Sequence, residues 1–308
     1  MQIYLPIADL PVNIFLVLAM GLAVGFISGM FGIGGGFLMT PLLIFIGISP
    51  AVAVASVASH IAASSCSGAI SYWRRNAIDV SLALMLLAGG FLGTAVGVWL
   101  FTLLRALNQL DLAIGLSYVV LLTTVGGLMI LESIRVIMRE RQGRPVVLRR
   151  GGSHTWLHGL PLKMRFKRSK IYVSAIPIWL IGFIIGFIGA VMGIGGGFLL
   201  VPMLIYFLRV PSATVIGTSM VLTLITMAAA TLMHSITNHL VDAVLALILM
   251  VGGVIGAQFG ARAGQSMRGE RLRLSLGILV FAVGLRFAYE LMVQPDDLFS
   301  IRGTGGGG

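Results

Sequence analysis

Apolar positions run through this chain in long unbroken stretches set apart by short polar punctuation. The clearest stretches are Asp79–Leu104, Leu112–Met138, Tyr172–Met192, Pro211–His234, Asp242–Met267 and Leu272–Val293. Each reaches the roughly 20 residues that cross a bilayer. Backbone N–H and C=O groups in hydrocarbon must be satisfied within the segment, so the stretches predict helices. The short alternating segments of a membrane β-barrel are missing from the pattern.

The pattern also repeats. The segment from Gly25 to Pro41 matches the segment from Gly186 to Pro202 at an ungapped offset of 161 residues, and Pro50 matches Pro211. After a two-residue shift, Asp79 aligns with Asp242, and Gly89, Gly90, Gly93 and Gly97 align with Gly252, Gly253, Gly256 and Gly260. The expected organisation is a first transmembrane repeat over 12–139, a basic loop over 140–171, a second repeat over 172–293 and a flexible tail over 294–308.

The first element of each copy departs from a plain span. Val12–Phe31 is long enough to cross, but Gly32–Gly36 interrupts it and Phe37–Gly47 is too short to cross again. Consecutive glycines disfavour a continuous helix by roughly 1 kcal/mol each. Pro41, soon after the break, suits the first turn of a new helix. The second copy reads the same way across Gly193–Gly197 and Phe198–Leu208. The predicted fold is therefore an all-α polytopic membrane protein of two inverted-topology repeats. Each repeat holds a discontinuous Gly-rich re-entrant element and three further transmembrane helices. If each broken element doubles back, each copy makes an odd number of passes and the copies are inverted. With the central loop in the cytoplasm, inversion also places Arg74, Arg75, Arg209, Arg262, Arg268, Arg271 and Arg273 inside. That is the arrangement in which cytoplasmic loops carry the Lys/Arg excess.

Composition supports the membrane class. Hydrophobic residues make up 58% and charged residues 10%, with a mean hydropathy of +1.03. A soluble domain carries about 25% charged residues. The formal charge of +11 is concentrated, because Arg135 to Lys170 hold 11 of the 21 basic residues. A single loop of that kind points to membrane orientation and away from nucleic acid. Cys66 is the one cysteine, which excludes an internal disulfide and a multi-cysteine metal site.

Candidate chemistry follows from the breaks. A helix that starts inside the membrane leaves its first N–H groups without partners and carries roughly half a positive charge at that end. Glycines there allow close approach of a ligand. Gly34, Gly35, Gly36 and Phe37 in the first copy, and Gly195, Gly196, Gly197 and Phe198 in the second, would form two anion-binding nests. None of the ten acidic residues falls at the centre of a predicted span, which disfavours a cation carrier. The hydroxyls of Ser56, Ser59, Thr218 and Ser219 follow the breaks and could donate to an oxyanion, or bond their own helix backbone. His60 could contact the anion or carry a coupling proton, or could bond a backbone carbonyl as a neutral imidazole. No metal site and no catalytic nucleophile–base–acid set is expected in the spans, and no cofactor.

The duplicated Gly-x-Gly-Gly-Gly-x-x-x-x-Pro elements, Gly32–Pro41 and Gly193–Pro202, resemble the TauE/SafE family of sulfite and organosulfonate exporters. Gly217-Thr218-Ser219 and the spaced glycines of both halves strengthen the likeness, which spans 14–292 apart from the central loop. The resemblance implies a bacterial inner-membrane carrier that moves sulfite, sulfoacetate, thiosulfate or a related anion outward, driven by an ion gradient. H+ is the expected coupling ion. The first copy departs from the pattern, with Ser56-Val57-Ala58 where the second has Gly217-Thr218-Ser219, followed by His60. Two other classes are a thiosulfate or sulfite uptake or sulfur-relay protein using Cys66, and an anion channel.

Overall fold

The computed structural model describes residues 2–31, 34–74, 76–141, 162–166, 169, 171–207, 212–263 and 269–292. Gly32, Arg75, Arg209 and Arg268, most of the basic loop and the 294–308 tail lie outside the described residues.

The chain is a mostly helical, multi-pass membrane protein. Among the described residues, seven helices are long and apolar enough to cross a bilayer. A hairpin of β1 (Gln2–Leu5) and β2 (Leu10–Asn13) leads into α1 (Ile14–Phe31), α2 (Gly36–Phe45), α3 (Pro50–Arg74), α4 (Val80–Ala106) and α5 (Leu110–Arg141). A second hairpin, β3 (Lys163–Phe166) and β4 (Ile171–Ser174), leads into α6 (Ala175–Met192), α7 (Gly197–Phe207) and α8 (Ser212–Met233). The chain then runs through a π-turn at His234–Asn238 to α9 (Ala243–Ala263) and α10 (Gly269–Met292). The two antiparallel hairpins were not anticipated from the hydrophobic pattern, because each strand is only four residues long.

Both expected interruptions are present. The first helical run stops at Phe31 and resumes at Gly36; the second stops at Met192 and resumes at Gly197. Gly34, Gly35, Gly193, Gly195 and Gly196 all have positive φ, between 59° and 84°. A side chain disfavours that conformation, so glycine is what allows these turns. Gly193 also terminates α6, its amide bonding the Gly189 carbonyl. At the far end of α2, Gly47 lies against the Leu10 side chain, just ahead of α1.

The halves pack through each other. The closest helix pairs are α1 with α9 and α4 with α6, along rows of small residues. Gly25 meets Gly253 and Gly29 meets Ala257, so α1 and α9 run parallel. Gly89 meets Trp179 and Gly97 meets Phe187, so α4 and α6 do too. Small residues let backbones approach, which is how helices gain contact when lipid supplies no hydrophobic contrast. The equivalent helices α5 and α10 cross antiparallel, Gly126 against Phe281 and Gly284 against Leu122. So do α3 and α8, for Gly68 meets Met220 while Ser56 and Thr218 reach the opposite ends of the pair.

Two aspartates fasten the hairpins to this core. Asp79 caps α4 through Leu82 N–H at 3.3 Å and accepts from Ser169 N–H at 2.9 Å and Ser169 O–H at 2.8 Å. Asp242 accepts from Val244 and Leu245 N–H at 3.1 and 3.0 Å, and from Ile7 and Ala8 N–H at 3.0 and 3.4 Å. Both side chains are buried. The β3–β4 hairpin and Arg74 therefore share one end of the molecule, and the β1–β2 hairpin and Asp242 the other.

Candidate functional site

The two helix breaks meet in the middle of the protein. A methyl placed on Gly34 would stand 3.3 Å from the Gly195 carbonyl oxygen, and one on Gly36 would run into the Gly193 carbonyl. Phe37 and Phe198, the first side chains of the two short helices, stack at 4.6 Å with ring planes 12° apart. Both rings are buried. Ile61 and Thr223, one from each half, pack on both turns. The eight break residues singled out from the sequence therefore form one cluster, although 161 residues separate the copies.

Within that cluster the carbonyls are well satisfied. Tyr118 donates to Met192 O at 2.6 Å, Thr40 to Gly193 O at 3.3 Å and Thr223 to Gly195 O at 2.8 Å. The Ala190 carbonyl accepts from His234 Nε2–H at 3.1 Å, and Asn238 Nδ2 lies 3.3 Å from His234 Nδ1. This uses the acceptors that the end of α6 would otherwise leave bare. Some donors are also engaged. Gly36 N–H bonds Gly34 O at 2.9 Å, Leu38 and Met39 share Gly35 O, and Gly197, Leu199 and Leu200 repeat the scheme in the second copy. The breaks are thus closed turns packed on each other.

The predicted hydroxyls divide into two kinds. Ser59 donates to Ser56 O at 2.6 Å and Ser219 to Ile216 O at 2.8 Å, so both bond their own helix. Ser56 and Thr218 reach across the halves, accepting from Asp242 N–H at 3.0 Å and Asp79 N–H at 3.3 Å. Ser56 is therefore the counterpart of Thr218, one position away from the alignment of Ser56-Val57-Ala58 with Gly217-Thr218-Ser219. Half of the shift that brings Asp79 onto Asp242 has already occurred at Ser56.

His60 is fully buried on α3 and packs against Gly253. Its Nδ1 lies 2.7 Å from Leu249 O. A carbonyl can only accept, so the proton sits on Nδ1. Nε2 has no hydrogen-bond partner among the described residues. In the other half the matching position is Leu222, which would meet a methyl on Gly90 as His60 would meet one on Gly253. Sequence reading missed Asp79 and Asp242 as anchors; their alignment with each other was the available signal.

Residues 17–287 match the family described as Sulfite exporter TauE/SafE. The chain belongs to that family. Among its TauE/SafE relatives, a Xylella fastidiosa "Probable membrane transporter protein" is 30% identical over 283 residues, covering 89% of this chain and 94% of the relative. The Bacillus subtilis "Probable membrane transporter protein YunE" is 23% identical over 283 residues, covering 89% and 97%. The Arabidopsis thaliana "Sulfite exporter TauE/SafE family protein 1" is 47% identical over 53 residues, which are 17% of this chain and 12% of that one. No solved structure gives a significant match. Membership in the TauE/SafE family, with relatives named as transporters along nearly their whole length, makes this chain a membrane transporter.

Proposed function

We propose that the protein exports a small sulfur-containing anion, sulfite or an organosulfonate such as sulfoacetate, by alternating access from the bacterial inner membrane. The single observation that carries this reading is the meeting of the two glycine-broken elements. Two half-helix N-termini converge at the centre of the molecule, and among the described residues the side chains nearest the two turns are Ile61, Thr223, Thr40, Val24, Ser28 and Ile185, all uncharged. Helix N-termini at a shared centre favour negative charge, and fixed carboxylates would oppose it.

The two halves act as inverted repeats. The antiparallel crossing of α3 with α8 and of α5 with α10 supports this, since inversion brings equivalent helices together head to tail. The return of α2 toward the start of α1, with Gly47 beside Leu10, supports a re-entrant element. The substrate binds between Gly34–Phe37 and Gly195–Phe198 when the halves part, with Ser56, Ser59, Thr218 and Ser219 beside it. The stacked Phe37 and Phe198 rings mark the closed state. His60, with a bare Nε2, carries the coupling H+. The basic loop faces the cytoplasm, along with Arg74 and Arg262.

Counterflow in proteoliposomes tests this function. Purified protein preloaded with sulfite, thiosulfate, sulfoacetate, taurine or sulfate is expected to exchange sulfite or an organosulfonate saturably. Flux that does not saturate, or none for any member of the panel, would contradict it.

A further inference from the structure

The repeat within the fold provides an internal control for a groove on its surface. Between α3 and α9 lies a groove of about 800 Å³, lined by Cys66, Ser67, Ser71, Arg74, Gln258 and Arg262 among others. Among the described residues, none of its lining is acidic. The equivalent place in the other half, between α8 and α4, holds a groove of about 380 Å³. There Ala228 stands for Cys66, Ala229 for Ser67 and Met233 for Ser71, and Phe91 replaces Val254. Every residue of that second lining is apolar. The backbone plan therefore does not require polar side chains in such a groove.

Two further observations point to a ligand. Arg74 and Arg262 come from different helices and different halves, yet border the same cavity. Two guanidiniums bordering one groove offer planar donor sets suited to an oxyanion. His60 lies on the same stripe of α3 as Ser67 and Arg74, at seven-residue steps, and packs on Gly253 next to the lining residue Val254. Ala63 of the lining is one helical turn from His60, whose unpartnered buried Nε2 could face an anion as a donor once it takes up a proton.

We infer that the α3/α9 groove is an anion vestibule, in which Arg74 and Arg262 hold a free sulfonate or sulfate group at the mouth of the route toward His60 and the helix breaks. Gln258 and Ser71 add neutral donors. The inference deepens the anion-carrier reading and rests on it. The same charge pair could take an anionic lipid headgroup, which shares the oxyanion chemistry, so the test separates the two sources.

The single cysteine makes the test direct, because Cys66 lines the groove and is half-buried. Full-length protein in nanodiscs of zwitterionic lipid is treated with a sulfonate-bearing or a trimethylammonium-bearing methanethiosulfonate. Each rate is normalised to that reagent's reaction with a small free thiol. Cys66 is expected to favour the sulfonate reagent by about tenfold, the lower range of focusing by a charged cleft. The preference should vanish in the Arg74→Gln, Arg262→Gln double variant while both reagents still react. It should persist in Arg105→Gln, whose arginine lies at the opposite end and bonds Asn238. Free sulfoacetate should slow labelling of the parent protein and not of the double variant. An unreactive Cys66, equal normalised rates, or protection only when the nanodisc lipid is made anionic would each overturn the inference. Labelling reads the groove and counterflow reads the carrier, so failure of one is distinguishable from failure of the other.

Discussion

The two halves place equivalent residues on equivalent backbone and then diverge in chemistry. Asp79 and Asp242 each fasten a β-hairpin, Ser56 and Thr218 each brace the opposite aspartate, and Phe37 and Phe198 meet face to face. Against that shared frame, His60 answers Leu222, Cys66 and Ser67 answer Ala228 and Ala229, and a polar groove answers an apolar one. The lesson is a division of labour. What recurs in both halves holds the fold, and what occurs in one half is where the two halves differ in chemistry.

The comparison can be broken at several depths. The largest effect is expected at the anchors. Asp242→Ala strands four backbone donors, and Asp79→Ala strands the cap of α4 and two donors of Ser169. Buried donors left unsatisfied cost about 1–3 kcal/mol each. Both variants should lose monodisperse protein in fluorescence-detected gel filtration, and to a similar degree. A mild effect at one aspartate would show that the halves do not share the anchoring scheme.

Next comes the aromatic stack. Phe37→Ala and Phe198→Ala should each destabilise by about 3–5 kcal/mol, as emptied aromatic positions do. In a double-mutant cycle on thermal unfolding, the pair should couple by about 0.5–1.5 kcal/mol. Additive losses would mean that the rings do not stabilise each other.

His60→Leu copies the second half into the first. The imidazole makes one hydrogen bond, so the stability change should stay within about 1.5 kcal/mol. Transport driven by a pH gradient should be lost, while counterflow without a gradient persists. Retained response to the gradient would remove His60 from coupling. The smallest effect is expected at Thr102→Val, which deletes the 3.1 Å bond to Asn238 Oδ1 beside Arg105. It should shift thermal stability by about 1 kcal/mol and leave counterflow unchanged.

Much of this was visible in the residues themselves. Apolar runs give the spans, and the tandem glycines of Gly193–Gly197 give the break, because lipid and backbone sterics act on neighbours in the chain. The anchors were less legible. Asp79 and Asp242 align, but their partners Ser169 and Ile7 lie 90 and 235 residues away, and no local pattern encodes those contacts. The hairpins leave little trace in the pattern because each strand is only four residues long, and each hairpin stands on an aspartate from a distant element. The groove needs α3 and α9 side by side, so Arg74 and Arg262 became a pair only in three dimensions. Among the hydroxyls, sequence could not separate Ser59, which bonds its own turn, from Ser56, which reaches Asp242.

The most direct measurement is a cryo-electron microscopy map of the full chain in nanodiscs with sulfoacetate at saturating concentration. The account predicts density for the anion against the first-turn amides of α2 and α7, with the Phe37 and Phe198 rings moved apart. Helices running unbroken through both glycine clusters, or an anion lodged away from both, would contradict it.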